Sequence, residues 1–457
     1  MNPTFAIGKH YKIPASMIKV MIMQLISKPQ QGLHGTIQVP GDKSISHRAL
    51  IIGAMGLGTT TIHNFLFSQD CLTTFQALKN LGVDISQNNE TVIIHGQGLQ
   101  SWHAPAHALD MGNSGTTTRL LAGLLAGRPF TTTLIGDQSL SQRPMQRIQQ
   151  PLQKMGAVIH LTHGHLPMTI SGQPLHSLCY QMPLASAQVK SALILAALQA
   201  SDASTIMEKL PTRDHTERLL RQFGAHLTTS DDHYKINIQP AHQLQGQTIQ
   251  IPADLSSAAF FLTAASIIPH SQLQLTNVGL NPTRTGFLKV LQRMGGQVKI
   301  TAQSQENGEP RGNLEVSAAK LHPIVITATE IPNIIDEIPL IALLAATADG
   351  RSKITGAGEL RVKETDRIHT TVEELSKLGI AITELADGFI IDGRQPWSVI
   401  NPHLDSHGDH RIGMMLAIAA LKCSAPLHLK NAAVVNISYP NFFQDLNNLL
   451  SQEETSS

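Results

Sequence analysis

Six times along this chain a short polar or charged cluster is followed at once by an apolar segment rich in alanine and leucine. The apolar segments have no polar face, which is typical of helices that are buried on all sides. Serine, asparagine and aspartate, which recur in the clusters, are residues that cap helix starts. The clusters are residues 43–48, 113–116, 186–188, 254–257, 336–337 and 409–411, and the apolar segments are residues 49–55, 120–126, 192–198, 258–265, 340–346 and 412–420. The pattern predicts an internally repeated fold.

A second repeated feature marks where each unit turns back. Five times a glycine, two further residues and an apolar residue end an amphipathic helix and open a strand, the pattern of a helix that stops at a glycine. The first glycines of these quartets are Gly82, Gly156, Gly224, Gly295 and Gly379, which lie about 70 to 85 residues apart. Each unit is therefore predicted to have the order βαβαββ, with a truncated sixth copy ending near residue 450.

The amphipathic helix of the first unit is predicted to bury one face. Leu72, Phe75, Leu78 and Leu81 recur at three-residue steps there, and we expect them to share that face.

The repeats also predict the architecture. Because one helix of each unit is apolar all round, we place these helices inside and the sheets outside, which inverts the usual α/β layering. Solenoid repeats are shorter than these units, so the six copies are predicted to form two globular halves of three. We expect one domain at residues 40–252 and a discontinuous one at residues 1–39 plus 253–457, with the chain crossing near Pro40 and Pro252.

Composition narrows the class of protein. A chain of 457 residues that is 42% hydrophobic and 15% charged is typical of a globular protein of two or more domains. Its net charge of +1 argues against a nucleic-acid or acidic-membrane surface. No histidine or cysteine spacing typical of a metal site occurs, so we expect neither a metal nor a cofactor. Cys71, Cys179 and Cys423 are dispersed and odd in number, which favours a reducing, cytoplasmic location.

The first 25 or so residues are predicted to be a loose N-terminal extension, or the product of a start codon upstream of the true one near Met23. Their apolar stretch, residues 18–26, is too short and too interrupted for a membrane span. A targeting segment is the less favoured alternative, because no clear cleavage site follows.

Cations and carboxylates accompany the predicted helix starts. A helix start offers unpaired N–H groups and the positive end of the helix dipole, so several starts around one cleft would attract anions. Lys43, Arg48 and Arg411 lie at such starts, whereas Asp336 and Glu364 could act as bases beside them. Each segment alone also has a structural explanation, as a capped helix, an acidic N-cap or an exposed charge ladder.

Taken together, these segments resemble one family closely, the 5-enolpyruvylshikimate-3-phosphate synthases of the enolpyruvyl transferase superfamily. The likeness runs from about residue 27 to residue 450 and is carried by PGDKSISHR, GNSGTTTR, RVKETDR and GDHRIGMM in this order. Residues 41–44, 186–190, 213–217 and 281–284 resemble the class II branch. The resemblance implies an inside-out α/β barrel with two domains of three repeats each.

The same resemblance implies a reaction. Members transfer the enolpyruvyl (1-carboxyvinyl) group of phosphoenolpyruvate to the 5-hydroxyl of shikimate 3-phosphate and release phosphate, a step in aromatic amino acid biosynthesis. The expected partners are these two small molecules, with neither nucleic acid nor membrane, and we expect a monomer.

Site residues are assigned by matching the family motifs. Asp336 matches the proton acceptor for the attacking hydroxyl, Glu364 matches a second carboxylate in proton transfer, and Lys43 reaches both substrates. Shikimate 3-phosphate is expected at Lys43, Ser44, Arg48, Ser186, Gln188, Arg213, Asp336 and Lys363, and phosphoenolpyruvate at Lys43, Asn113, Gly115, Arg143, Gln188, Arg367 and Arg411. One departure is that residues 436–440 lack the lysine that some relatives carry there.

Two rival functions remain open at this point. A UDP-N-acetylglucosamine enolpyruvyl transferase would share the fold and chemistry but uses a mobile loop that usually carries a cysteine. A catalytically silent relative would bind a phosphorylated metabolite without turning it over, although the presence of Asp336 and Glu364 among the cations opposes this reading.

Overall fold

The computed structural model describes residues 23–26, 29, 31–241, 243–306 and 308–451. The loose extension predicted for the first 25 or so residues lies outside these ranges, apart from residues 23–25, which belong to the first strand. The helices are α1 (Lys43–Met55), α2 (Gln69–Asn80), α3 (Gly115–Leu125), α4 (Gln138–Ser141), α5 (Gln146–Lys154), α6 (Ala187–Ala197), α7 (His215–Gln222), α8 (Leu255–Ile267), α9 (Gly286–Arg293), α10 (Ile338–Ala345), α11 (Arg367–Lys377), α12 (His410–Ala420) and α13 (Phe442–Ser451). None of the described helices is long and apolar enough to cross a membrane.

Short strands alternate with these helices. In the first half of the chain they are β1 (Met23–Ile26), β2 (His34–Ile37), β3 (Gly56–His63), β4 (Asp84–Asn88), β5 (Thr91–Gln97), β6 (Leu109–Asp110), β7 (Thr131–Ile135), β8 (Val158–Thr162), β9 (His165–Ser171), β10 (Cys179–Gln181), β11 (Ser204–Met207) and β12 (Leu227–Thr229). In the second half they are β13 (Lys235–Ile238), β14 (Leu244–Gln245), β15 (Thr248–Gln250), β16 (Gln272–Gly279), β17 (Gln297–Glu306), β18 (Glu309–Ser317), β19 (Val325–Ile326), β20 (Arg351–Ile354), β21 (Ala381–Leu385), β22 (Gly388–Asp392), β23 (His403–Asp405) and β24 (Leu427–Lys430).

The six predicted apolar helices are confirmed as α1, α3, α6, α8, α10 and α12. All 13 residues of α8 are buried, and the other five are buried over most of their length. Five of them begin at a cap residue whose side-chain oxygen accepts a hydrogen bond from the backbone N–H two or three residues further on. These cap residues are Asp42, Ser114, Ser186, Asp254 and Asp409. The sixth, α10, instead follows a 3₁₀ turn at Ile335–Glu337. Polar clusters therefore start buried helices, as the sequence predicts.

Close approach between two of these helices depends on a glycine. Gly123 in α3 faces α6, where an added Cβ atom would lie only 2.1 Å from the carbonyl oxygen of Ala192. Any side chain would push the two helices apart, so the absence of one at Gly123 allows this close approach.

The glycine stops are confirmed too, because all five first glycines have positive φ angles between 77° and 96°. The predicted face of α2 is partly wrong. Leu78 and Leu81 are buried, but Leu72 is exposed and Phe75 only half-buried. Steps of three residues fall short of the 3.6-residue turn, so the four positions drift around the helix rather than along one face.

The strands of the described residues form six small sheets, which together with the helices make this a mixed α/β protein. Their strand orders are β14/β15-β3-β5-β4, β6-β7-β9-β8, β10-β11-β13-β12, β2-β16-β18-β17, β19-β20-β22-β21 and β23-β24-β1. In each four-stranded sheet the first two strands are parallel and the remaining pairs are antiparallel, as a βαβαββ unit requires. The sixth sheet is completed by β1, which runs antiparallel to β24.

The buried apolar side chains form two cores. One contains residues between Ile45 and Ile251, and the other contains residues 26–39 together with residues 253–449. The backbone passes between them twice at one place, where Asp42 N donates to Pro252 O at 2.8 Å and Asp254 N donates to Pro40 O at 2.9 Å. We call residues 40–252 the central segment and the rest the flanking segments.

Candidate active site

Side chains from the central and flanking segments line one cleft. Because α1, α3, α6, α8 and α12 begin at this cleft, their polar caps and the cations beside them are brought together. The lining includes Lys43, Ser44, Asp70, Gly115, Arg119, Arg143, Arg147, Ser186, Gln188 and Arg213 from the central segment, and Asp254, Arg284, Asp336, Glu359, Lys363, Glu364, Arg367, His410 and Arg411 from the flanking segments.

Asp336 lies at the centre of the cationic group. Its carboxylate accepts from Arg213 Nη2 across the cleft, and its Oδ1 lies 3.4 Å from both Lys363 Nζ and Arg367 Nη1. Arg411 Nη1 donates to the Asp336 carbonyl oxygen at 3.2 Å. Four predicted cations from three separate stretches of chain thus surround this one buried residue.

Glu364 is the second carboxylate of the cleft. Its Oε2 accepts from Arg367 Nη2 at 2.6 Å, and its Oε1 lies 3.5 Å from Arg143 Nη1 across the cleft. Arg367 itself is fully buried and is fixed by Asp409, whose Oδ2 accepts from Nε at 2.7 Å. Arg367 therefore connects Glu364 with Asp336.

The positive surroundings set the protonation of both carboxylates. Burial raises the pKa of Asp336, but Lys363, Arg213, Arg411 and Arg367 outweigh it and hold that pKa well below its usual range. Burial likewise raises the pKa of Glu364, and Arg367, Arg143 and the other nearby positive charges reverse the effect. Both groups are therefore ionised at neutral pH.

The start of α1 supplies a lysine and a serine to the cleft. Lys43 pairs with Asp70 at the start of α2, and Ser44 lines the cleft beside it. Arg48 lies one turn further into α1 and is buried behind Ser44. Its guanidinium donates to Ser44 O, Thr216 Oγ1 and Ser191 Oγ, at 3.0, 2.7 and 2.8 Å.

Arg143 is held by the loop before α3. Its Nη2 donates to Asn113 Oδ1 at 2.6 Å, so Asn113 lies beside this guanidinium, while Gly115 lines the cleft. From α6, Ser186 caps the helix and Gln188 donates to Thr116 Oγ1 at 3.0 Å. The structure thus brings the predicted site residues into one region, with Arg48 and Asn113 one layer behind the lining.

Several charged cleft residues were not predicted. They are Asp70, Arg119, Arg147, Asp254, Arg284 and Glu359. Arg119 and Arg284 stand inside motifs that carry the family resemblance, which is a signal that could have found them. The pair of Arg147 Nη1 and Glu359 Oε2, 2.8 Å apart, joins residues more than 200 positions apart, and no local pattern reveals it.

One group in the described part of the chain has the geometry of metal ligands, namely Glu373, Glu374 and His407. It does not line the cleft. Glu374 Oε1 already accepts from His407 Nε2 at 2.7 Å and from Lys377 Nζ at 2.6 Å. Hydrogen bonding and the lysine charge account for this cluster without a metal.

The segment that lacks the lysine of some relatives also approaches this region. Ala432–Ile437 forms a 3₁₀ turn that packs against α2, the helix that carries Asp70. Tyr439 after it is buried and donates to Asp445 Oδ2 at 2.7 Å. The cations of the cleft therefore come from other elements.

Known proteins match this chain over nearly its full length. The family model for EPSP synthase (3-phosphoshikimate 1-carboxyvinyltransferase) matches residues 27–446. The 3-phosphoshikimate 1-carboxyvinyltransferase of Lactiplantibacillus plantarum is 62% identical over 93% of this chain and 98% of its own length. The enzyme of the same description from Bacillus subtilis is 47% identical over 92% and 98% of the two chains.

Solved structures agree with these matches. The EPSP synthase of Acinetobacter baumannii has a TM-score of 0.81 and 41% identity, covering 93% of this chain and 98% of its own. The enolpyruvyl transferase NikO from Streptomyces tendae, at 18% identity and a TM-score of 0.76 over 93% and 97% of the two chains, shows the fold alone. On the family model, the relatives and the arrangement of the cleft, this chain belongs to the EPSP synthase family, the 3-phosphoshikimate 1-carboxyvinyltransferases of aromatic amino acid biosynthesis.

Proposed function

We propose that this cleft carries out the family reaction, with Asp336 and Glu364 as its proton-transfer groups. The observation that carries the proposal is that both carboxylates contact Arg367, in a cleft lined by nine lysines and arginines from both segments. Phosphoenolpyruvate and shikimate 3-phosphate each carry a phosphate and a carboxylate. Binding both anions in one place requires such a concentration of cations, with arginine suited to bidentate contacts.

Shikimate 3-phosphate is assigned to Lys43, Ser44, Arg48, Ser186, Gln188, Arg213, Asp336 and Lys363. Ser44 and Ser186 support this because they lie at the starts of two different helices that face the same cleft. Arg213 and Lys363 support it because both already contact Asp336, the residue proposed to accept the proton of the 5-hydroxyl. Phosphoenolpyruvate is assigned to Lys43, Asn113, Gly115, Arg143, Gln188, Arg367 and Arg411.

The charges around Asp336 make it a base that strengthens when the substrates bind. Four cations depress its pKa, so its carboxylate is ionised but weakly basic. Anionic substrates would partly neutralise the same cations, and the pKa of Asp336 would then rise towards its ordinary value or above it. Proton abstraction is thus favoured when both substrates are in place.

The chemistry follows from where charge develops. Anionic substrates partly neutralise Arg367 and Arg143, which hold the pKa of Glu364 down, so Glu364 can take up a proton when they bind. Glu364 gives this proton to the methylene carbon of phosphoenolpyruvate, and the carboxylate that results stabilises the oxocarbenium character of C2. The 5-oxygen of shikimate 3-phosphate gives its proton to Asp336 and attacks C2, forming a tetrahedral intermediate. The C2–O bond to phosphate then breaks with its electron pair, and the departing phosphate takes the proton held by Asp336. The methyl group returns a proton to Glu364, which restores the double bond. Arg143, Arg367 and Arg411 stabilise the departing phosphate.

Rapid mixing of the enzyme with both substrates, followed for phosphate release, tests the proposal. Release in a single turnover supports the enzyme, whereas binding without release supports a silent relative. No observation favours the UDP-N-acetylglucosamine alternative.

The role of Asp336 has its own test. In Asp336→Ala we expect substrate affinities within about tenfold of wild type and turnover lower by about two to four orders of magnitude, as for loss of a general base. Asp336→Asn, which keeps the shape but not the basicity, should lose turnover similarly. Unchanged turnover in either variant would remove Asp336 from the mechanism.

We also propose that residues 40–252 form one domain and residues 1–39 plus 253–457 the other, each an inside-out barrel of three βαβαββ units. The two cores and the paired backbone crossing near Pro40 and Pro252 support this division. A closing movement at that crossing would bring the helix starts together around the substrates. Action as a monomer in the cytoplasm remains part of the proposal, and light scattering on the purified protein would test the oligomeric state.

A further inference from the structure

A second buried acid lies next to Asp336, and the reaction described above does not use it. Glu337 is the last residue of the 3₁₀ turn Ile335–Glu337, which also carries Asp336. It is 3% exposed and, unlike Asp336, it does not line the cleft. A buried negative charge is costly without positive partners, so the neighbours of Glu337 indicate its role.

Glu337 lies behind two cations of the cleft. Its Oε1 is 3.6 Å from Arg411 Nη1 and accepts a hydrogen bond from Ser256 Oγ. The same serine oxygen accepts a hydrogen bond from Arg284 Nη2, so Ser256 stands between Glu337 and Arg284. Arg284 also has a carboxylate of its own, because Asp254 Oδ1 lies 3.5 Å from its Nη2. Among the described residues, Arg411 is the one cation that forms an ion pair with Glu337 directly.

The contacts of Arg411 are concentrated at one end of its guanidinium. Nη1 donates to the carbonyl oxygen of Asp336 at 3.2 Å and faces Glu337. Nη2 donates no hydrogen bond to any residue that the structure describes, and the Asp336 carboxylate oxygen Oδ2 lies 3.9 Å from it. Arg411 lines the cleft. The protein therefore holds one end of this planar group and leaves the other end for a ligand.

The carboxylate of Asp336 competes for the same guanidinium. It already contacts three other cations, and Arg411 is the fourth within 4 Å. Glu337 attracts Arg411 from the opposite end, at Nη1, and thereby balances the attraction of Asp336 for Nη2. If the charge of Glu337 were lost, Arg411 would be drawn towards Asp336 and away from the space where a substrate binds.

We propose that Glu337 is a positioning residue, which holds Arg411 in the orientation that binds phosphoenolpyruvate. This inference rests on the proposed function, which assigns Arg411 to that substrate. Glu337 does not touch the substrate and acts through the guanidinium alone. Once phosphoenolpyruvate is bound, its own negative charge holds Arg411 in place. Loss of Glu337 should therefore affect the KM for phosphoenolpyruvate more than kcat.

The test begins with Glu337→Gln, which keeps the shape of the side chain and removes its charge. Steady-state kinetics should show a KM for phosphoenolpyruvate raised about 5- to 20-fold, with kcat and the KM for shikimate 3-phosphate within about threefold of wild type, as for a displaced binding group. Glu337→Asp, which restores the charge on a side chain one methylene group shorter, should recover part of the loss.

A double-mutant cycle identifies the residue through which Glu337 acts. When Glu337→Gln is added to Arg411→Gln, the KM for phosphoenolpyruvate should change by less than about twofold, because no guanidinium is left to position. When it is added to Arg284→Gln, the full effect of Glu337→Gln should remain, since Arg284 reaches Glu337 through Ser256.

Glu374→Gln is a matched control. Glu374 is a buried glutamate of the flanking segments that pairs with Lys377 and His407. Neither it nor these two partners line the cleft, so its loss should leave the KM for phosphoenolpyruvate unchanged.

Three results would overturn the role of Glu337. The first is a wild-type KM for phosphoenolpyruvate in a folded Glu337→Gln variant. The second is an equal rise for both substrates, or an equal rise in the Glu374→Gln control, which would indicate a structural effect. The third is a full effect of Glu337→Gln in the Arg411→Gln background. Failure of the proposed function would be seen separately, as an absence of phosphate release by the wild-type enzyme or as an unchanged KM for phosphoenolpyruvate in Arg411→Gln alone.

Discussion

Replacing Lys190 with methionine would remove a buried positive charge that lies between two buried carboxylates. Lys190 Nζ donates to Glu208 Oε2 at 2.9 Å and to the carbonyl oxygen of Thr212 at 3.1 Å, and it forms an ion pair with Glu217 Oε1 at 2.8 Å. Lys190 is 1% exposed, and so are the side chains of both glutamates. Burial lowers the pKa of Lys190, but Glu217 and Glu208 outweigh it and raise the pKa, so the ammonium stays charged.

The size of the destabilisation follows from the two buried carboxylates that Lys190→Met leaves without a cation. Methionine fills a similar volume, so cavity formation contributes little. Removing one partner of a buried ion pair costs about 3–5 kcal/mol, and here two carboxylates lose their cation together. We expect the free energy of unfolding to fall by about 4–5 kcal/mol, near the top of that range, because two carboxylates are affected. It should not fall further, because protonation of one glutamate limits the repulsion between them. Typical domains are stable by only about 5–15 kcal/mol, so the variant should be close to unfolding.

Urea denaturation followed by circular dichroism at pH 7 measures the effect. Lys190→Met combined with Glu208→Gln and Glu217→Gln should recover at least half of the lost free energy of unfolding, because no uncompensated charge remains. Lys320→Met is the control, since Lys320 pairs with Asp349 on the surface and its loss should cost less than about 1 kcal/mol. A loss below about 1 kcal/mol in Lys190→Met, or no recovery in the triple variant, would refute the reasoning.

Two further predictions concern the cleft. In Gly115→Ala the new Cβ atom would crowd Arg119 and Arg143, so the KM for phosphoenolpyruvate should rise about tenfold while that for shikimate 3-phosphate changes little. Steady-state kinetics would measure both KM values, and an equal rise in the two would contradict the prediction. Burial and the charge of Asp42 raise the pKa of Asp254 to about 7. Asp254 therefore holds a proton when folded that the unfolded chain has lost above about pH 4, so its contribution to the free energy of unfolding falls as pH rises to about 7. Asp254→Asn should show a smaller fall between pH 5 and pH 7 in urea titrations, and an unchanged slope would count against this assignment.

The sequence predicts the helices well because their signals are local. A capping residue next to an apolar run decides where α3 or α8 begins, and a glycine with positive φ decides where an amphipathic helix ends. The face of α2 was predicted less well, because three-residue spacing is only an approximation to a helix and Leu72 falls on the exposed side.

Pairings between distant parts of the chain could not be predicted in the same way. β15 joins β3 in parallel and β1 joins β24 in antiparallel, although each pair is far apart in sequence. Their partners are decided by which sheet edges the folded halves leave open, and two- to four-residue strands carry too little pattern to show it.

In the cleft, the family motifs gave most of the cations, but not how they pair. Arg143 lies 3.5 Å from Glu364, whereas Arg119 forms no ion pair with a described residue, and that difference exists only in three dimensions. The same holds for Asp70, whose contact with Lys43 depends on the packing of α2 beside α1.

The central claim, that separate helix starts form one anion site around two carboxylates, is tested most directly by a crystal structure with shikimate 3-phosphate bound. The account predicts the ligand in the cleft, with Ser44, Ser186 and Lys363 within hydrogen-bond distance and its 5-hydroxyl next to Asp336. A ligand bound elsewhere, or Lys43, Arg143, Lys363 and Arg411 spread over separate surfaces in that structure, would contradict it.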